Sequence, residues 1–172
     1  IIPSVQPTHA TSDMYWAEER LGKERLKYSY AYEDLLKQNN WLPLGTDFPV
    51  EEISSLKTFY SAVARKDSKH FPEGGFQKEN ALTREQALRG MTIWAAKAAF
   101  QENEIGSLEV GKSGDFIIVD QDLMTVPEVK ILDTKVLETY SNGKIVYQNL
   151  SLIIVPTKLK VKKIKVNSDD YY

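Results

Sequence analysis

A strand-like run followed by a helical pattern occurs twice near the start of this chain, and that order limits the fold more than any other feature. Ile1 to Gln6 is a short apolar run and reads as a buried strand. The turn-rich stretch Pro7 to Asp13 follows, with Ser12 or Asp13 placed to cap a helix through Arg20 or Leu21 that Gly22 stops. Leu26, Tyr30, Leu35 and Leu36 recur at helical spacing between Glu24 and Gln38, and Asn39-Asn40 ends that helix. Trp41 to Asp47 is a second short strand, closing on a glycine and a carboxylate. A helix from about Ser54 to Arg65 puts Leu56, Phe59, Tyr60 and Val63 on one face. Strand, helix, strand, helix is the order of a parallel α/β fold. Two such units make about a quarter of an eight-stranded barrel, which takes roughly 250 residues when complete.

The pattern then changes. Asp67 to Ala81 is a long polar loop containing Pro72 and Gly74-Gly75, and long ordered loops often carry function. Thr83 and Gln86 form a capping box for a helix to about Gln101, with Ala87, Leu88, Met91, Ala95, Ala98 and Ala99 as its apolar stripe. Beyond it, Gly106, Gly111 and Gly114 punctuate short segments. Asp115 to Asp120 reads as a strand, and Val136 to Tyr147 as a hairpin turning at Asn142-Gly143. The chain is thus expected to divide into a partial barrel segment over 1–102 and a small β segment over 103–172. In the latter, Ser151 to Val166 alternates lysines with apolar residues, as an edge strand with a solvated, charged face does, and Asn167 to Tyr172 is a loose end.

Composition removes several function classes. Lys plus Arg is 22 and Asp plus Glu is 24 in 172 residues, a net charge of −2, which lacks the electrostatic footprint of a nucleic-acid binder. No apolar run approaches the roughly 20 residues of a membrane span. There is no cysteine, so thiolate catalysis and Cys-ligated zinc are excluded, and a reducing, cytoplasmic setting is favoured. His9 and His70 are the only histidines. A catalytic zinc takes about three protein ligands, commonly two or three of them His. These residues cannot build a His-rich metal centre on their own.

Three residues stand out as candidates for chemistry. Asp47 closes the second strand, and in parallel barrels active sites lie at the C-terminal ends of strands. A carboxylate there can bind a metal ion and take a proton from an attacking water; it can equally be a turn or helix-cap residue. His9 follows the first strand, so it opens on the same rim, where it can ligate metal, bind substrate, steady an oxyanion or be merely structural. His70 lies in the long loop and can line a lid or pocket wall. Asp13 and Trp16 can flank the same rim, although a capping Asp and a packed Trp explain them as well.

The stretches PSVQPTHATSDM, PLGTDFPVE, ALTREQALRGMTIWAAKAAF and GSLEVGKSGDFIIVDQDLM resemble, in order, the C-terminal part of metal-dependent amidohydrolases. The likeness runs from Ile1 to about Gln148 and is nearest to the amidohydrolase-3 branch, which includes N-substituted formamide deformylases. The resemblance implies a (β/α)8 barrel with a small β-sandwich built from both chain ends. On that template Ile1 to Gln6 is similar to barrel strand seven and Leu42 to Asp47 to strand eight, and Gly106 to Asp120 leads back into the sandwich. Asp47 would then be the strand-eight aspartate, both metal ligand and general base, and His9 would face substrate and not be one of the standard metal ligands; His70, read from its place in the long loop, is the further substrate-binding candidate. The cofactor implied for the intact enzyme is a divalent metal, zinc by resemblance. The family's His-x-His after strand one, the bridging residue near strand four and the histidines of strands five and six have no counterpart here.

The expectation is therefore a C-terminal fragment of a hydrolase acting on C–N bonds of a small-molecule amide or formamide, with no stoichiometric metal and no activity of its own. The competing reading is a truncated or degenerate product serving as a structural or interaction module; a third is an unrelated α/β binding domain. Two strands cannot close a barrel. Leu56, Phe59, Met91 and Trp94 are then expected to lose part of their cover, which favours a homo-oligomer, most simply a two-fold dimer.

Overall fold

The computed structural model describes residues 1–150. The lysine-rich strand expected at Ser151 to Val166 and the loose end after it lie outside the described residues. The two N-terminal apolar runs meet in one parallel bridge, Val5 with Leu44. Val5 N donates to Pro43 O at 3.1 Å, and Gly45 N donates to Val5 O at 3.0 Å. Their adjacency and direction match the expected βαβ unit, but their length does not. Ile1 is fully exposed and Ile2 partly so, which corrects the reading of Ile1 to Gln6 as a buried strand. A strand is as long as its partners allow, and among the described residues Val5 has a strand partner on one side only.

The seven α-helices among the described residues follow from the local chemistry. The first, α1 (Pro7–Asp13), occupies the stretch expected to be a turn, because Pro7 sits in its first turn, where the missing N–H costs nothing. Its C-terminal neighbours are α2 (Ala17–Leu21), stopped as expected at Gly22 with φ 74°, and α3 (Lys23–Leu26). Tyr30 takes a left-handed φ of 55°, so the single helix expected over Glu24 to Gln38 is broken, and α4 (Tyr32–Asn39) restarts after it and ends on left-handed Asn40. The next, α5 (Ser55–Ala64), starts where the Ser54 hydroxyl accepts from Lys57 N and stops at left-handed Arg65. The expected capping box is present: Thr83 Oγ1 accepts from Gln86 N, and Gln86 Oε1 from Thr83 N. The helix it opens splits at Thr92 into α6 (Arg84–Met91) and α7 (Ile93–Ala98), and is not continuous to Gln101.

The core gathers on α5. Every residue from Thr58 to Arg65 is buried, so this helix is enclosed all round and not along a single stripe; Leu56 is only half-buried. Phe59 and Tyr60 are each 1% exposed and pack with Ala10, Tyr32, Leu36, Leu42, Leu44 and Leu82. Burying a ring of this size stabilises by about 2–3 kcal/mol. Phe59 therefore keeps its full cover, contrary to expectation, while Met91 and Trp94 remain partly buried at the margin.

Residues 116–148 form an antiparallel sheet in the order β1 (Phe116–Val119), β2 (Val136–Ser141), β3 (Lys144–Gln148). The β2–β3 turn is the expected Asn142-Gly143, both at positive φ (51° and 71°), as the twist-matched two-residue hairpin requires. Between β1 and β2 the chain returns to the helical core. A 3-10 helix, Glu128–Asp133, inserts fully buried Ile131 beside α5, and Glu128 bridges Lys66 (3.2 Å) and Lys78 (3.3 Å).

Candidate active site

The parallel bridge sets both strand ends on one rim. Pro7 turns the first chain into α1, which places His9 in its first turn. On the second, Asp47 adopts a left-handed φ of 61°, a conformation that Asp tolerates better than most residues. The result is a contact of 2.8 Å between His9 Nε2 and Asp47 Oδ2. An ionised carboxylate only accepts, so the proton of this bond belongs to Nε2. His9 is partly covered, with 27% of its side chain exposed against 43% for Asp47.

The other ring nitrogen also faces carboxylates. His9 Nδ1 lies 3.5 Å from Glu51 Oε1 and 4.0 Å from Asp13 Oδ2. Ser12 Oγ donates to Glu51 Oε1 at 2.6 Å, and Tyr30 Oη donates to Asp13 Oδ2 at 2.8 Å. Glu51 was not singled out from the sequence. The signal that finds it is the turn Asp47 to Glu51: Val50 N and Glu51 N both donate to Asp47 O, which folds position 51 back over α1. Asp13 does lie near the rim, as anticipated, while Trp16 is about half exposed.

His70 is not part of this group. It sits at a left-handed φ of 65° in the 67–72 turn, where its Nδ1 is 2.7 Å from Tyr60 Oη and its ring meets Tyr60 edge-on. Burial pushes the Tyr60 phenol up to about 12, with the charges of Glu128 and Asp67 adding to it. The turn is organised by Asp67, whose Oδ1 accepts from Lys69 N (2.8 Å) and Phe71 N (3.0 Å) and whose Oδ2 accepts from Tyr15 Oη. Burial alone would raise the Asp67 carboxyl, but these bonds outweigh it and hold it below the usual carboxylate range.

One groove reaches His9, and a second, smaller cavity lies beyond it at Ser12 and Glu51. A groove of about 790 Å³ runs along the outer edge of the first strand, lined by Val5, His9, Tyr28 and Tyr30 among others. A smaller cavity of about 200 Å³ lies between α1 and α5. A metal centre of the kind the resemblance implies needs about three protein ligands. Among the described residues no group of three or more His, Asp or Glu could hold a metal ion. Asp47 and His9 face each other, and these residues do not by themselves fit that centre. No helix among the described residues is long and apolar enough to cross a membrane.

Comparison with known proteins bears on the family of the chain. The sequence model of the amidohydrolase family, Amidohydro_3, matches residues 1–147. The chain is 36% identical to Protein LONG AFTER FAR-RED 3 of Arabidopsis thaliana over 86% of its own length and 25% of that protein's. It is 29% identical to the N-substituted formamide deformylase of Arthrobacter pascens over 73% of its length and 22% of the relative's. Among solved structures, an uncharacterized metal-dependent hydrolase from Pyrococcus horikoshii OT3 superposes with a TM-score of 0.65 at 35% identity, covering 74% of this chain and 26% of that one. The chain thus spans about a quarter of the length of the curated relatives it matches.

Proposed function

This chain belongs to the amidohydrolase family, and from that premise we propose that it supplies the C-terminal part of a C–N-bond hydrolase, with Asp47 as general base. The observation that carries the reading is the His9–Asp47 contact on the rim where two parallel strands end. Asp47 takes a proton from the attacking water and passes it to the leaving nitrogen, a role worth roughly 10²–10⁴ in rate. His9 holds Asp47 Oδ2 and so directs Oδ1 toward the reacting centre, and it also faces the substrate. His70, on the Tyr60 side of the rim, lines the approach. A small-molecule amide or formamide is the substrate class, with support from the deformylase relative.

On this reading the chain needs residues from the rest of a barrel. Alone it is expected to release no amine from N-substituted formamides or simple amides and to retain no stoichiometric zinc. A longer polypeptide that completes the barrel releases amine, and a chelator abolishes the reaction. Turnover by the 172-residue chain itself, or tight 1:1 zinc by elemental analysis, would contradict the proposal.

The division at about residue 103, into barrel segment and sandwich segment, is part of the same proposal, as is self-association. Ile145, Val146 and Tyr147 on β3 are each about half exposed or more, and β3 is an unpaired edge among the described strands. Light scattering of the purified chain is expected to report a dimer or larger species; a monodisperse monomer at high concentration would rule that out.

A further inference from the structure

Two side-chain contacts join α1 to the turn that carries Asp47. His9 Nε2 meets Asp47 Oδ2 at 2.8 Å, and three residues along the helix Ser12 Oγ donates to Glu51 Oε1 at 2.6 Å. Residues three apart share a helix face, so α1 presents both groups to the same turn. Ser12 has one proton to give. Its other acceptor, His9 O, is farther away at 3.4 Å, so the bond to Glu51 is the stronger of the two.

The turn is closed on itself. Val50 N and Glu51 N donate to Asp47 O at 2.8 and 3.2 Å, so the backbone at position 51 moves with that at position 47. The two carboxylates of the turn flank one imidazole, with Asp47 at Nε2 and Glu51 Oε1 3.5 Å from Nδ1. Asp13, the other carboxylate near Nδ1, is 4.0 Å away and takes its own hydrogen bond from Tyr30 Oη.

Asp47 needs such a hold. Its side chain is 43% exposed, and a group that open changes rotamer on the picosecond-to-nanosecond scale unless bonds select one state. Glu51 is the better covered of the two, at 19%, and is fastened at both ends: by its N–H to Asp47 O and by its carboxylate to Ser12.

We propose that Glu51, held by Ser12, is a positioning residue: it keeps the 47–51 turn on α1 and so keeps Asp47 against His9. The positioning itself needs no catalytic role for Asp47. Its consequence for turnover rests on the reading of Asp47 as general base.

The first test uses the 172-residue chain and NMR. His9 and His70 are its only histidines, and His70 is told apart by its edge-on contact with Tyr60. A nuclear Overhauser cross-peak between the His9 ring and the Asp47 β-protons is expected in the wild-type chain and is expected to be lost in Ser12→Ala and in Glu51→Ala. The His70–Tyr60 cross-peak is expected to persist in both variants, as the sign that the fold is intact. A His9–Asp47 cross-peak of unchanged intensity in both variants would overturn the proposal, as would its absence from the wild-type chain. Should Glu51→Ala not fold, Ser12→Ala, which removes one hydroxyl from an exposed position, decides it.

The second test uses a longer polypeptide that completes the barrel. Both variants are expected to lower kcat about tenfold with KM within about twofold, because misplacing a reacting group costs turnover and not binding. In an Asp47→Asn background neither is expected to lower kcat further; a loss of the same size there would show that Glu51 does not act through Asp47 and would overturn the proposal. Near-wild-type kcat for Asp47→Asn alone would instead remove the general-base reading, and the cross-peak would still decide the positioning.

Discussion

His9 and Asp47 are 38 residues apart and meet at 2.8 Å between Nε2 and Oδ2. Neither side chain is brought there by its own helix or strand alone. The meeting depends on Val5 and Leu44 being paired in parallel, so that the chain leaves both strands on the same side. Anything that shifts Leu44 against Val5 also shifts the dyad.

Gly90 tests that dependence. Leu44 N donates to Gly90 O at 2.9 Å, so the second strand is held by a helix carbonyl. A Cβ on Gly90 would sit 2.6 Å from Leu44 Cγ and 2.9 Å from Leu42 O. Gly90→Ala is therefore expected to destabilise the chain by about 1–3 kcal/mol, the cost of overpacking, as a lower urea midpoint. An unchanged midpoint would show that α6 does not press on the strand.

Arg65 is fully buried, and its guanidinium lies over the rings of Tyr32 (4.9 Å) and Phe76 (5.8 Å). Nε donates to Phe76 O at 2.9 Å and an Nη to Gln77 Oε1 at 3.2 Å. Lysine has neither the plane nor the fork to reproduce this. Arg65→Lys is expected to cost about 2 kcal/mol or more in chemical denaturation, since each bond to a charged group contributes about 1.5–3 kcal/mol. A loss under about 0.5 kcal/mol, the range of ordinary surface changes, would contradict this role.

Acid sensitivity should trace in part to Glu128. Its burial would raise the carboxyl, but Lys66 and Lys78 hold it below the usual range. A carboxyl depressed in the folded state contributes stability at pH values above its unfolded pKa and loses it as pH falls through the folded one. Stability is thus expected to drop from about pH 5 downward, and Glu128→Gln to flatten that slope. Urea midpoints at a series of pH values measure it. An equally steep profile in the variant would assign the sensitivity elsewhere, with Asp67 the next candidate, since it is depressed by its bonds to Tyr15, Phe71 and Lys69 despite burial.

Signals that act within a few residues were legible in the sequence. Ser54 and Arg65 bound α5 within a residue of expectation, the Thr83 capping box is formed, and Asn142-Gly143 turns the hairpin. The shared rim of His9 and Asp47 also followed from the order of elements. What escaped depends on longer-range packing or on backbone freedom. Pro7 suits a turn and a helix start equally, and Tyr30 and Thr92 break helices with no glycine or proline to announce it. Glu51 was invisible because its approach to His9 depends on the left-handed turn at Asp47.

The central claim is that Asp47 is the general base. It is tested most directly by Asp47→Asn in a longer polypeptide that completes the barrel and turns over an amide or formamide. Asparagine keeps the shape and the ability to accept from His9 but cannot take a proton. The account predicts that kcat falls by about a hundredfold or more while the melting transition is retained. A folded Asp47→Asn variant with near-wild-type kcat would contradict it.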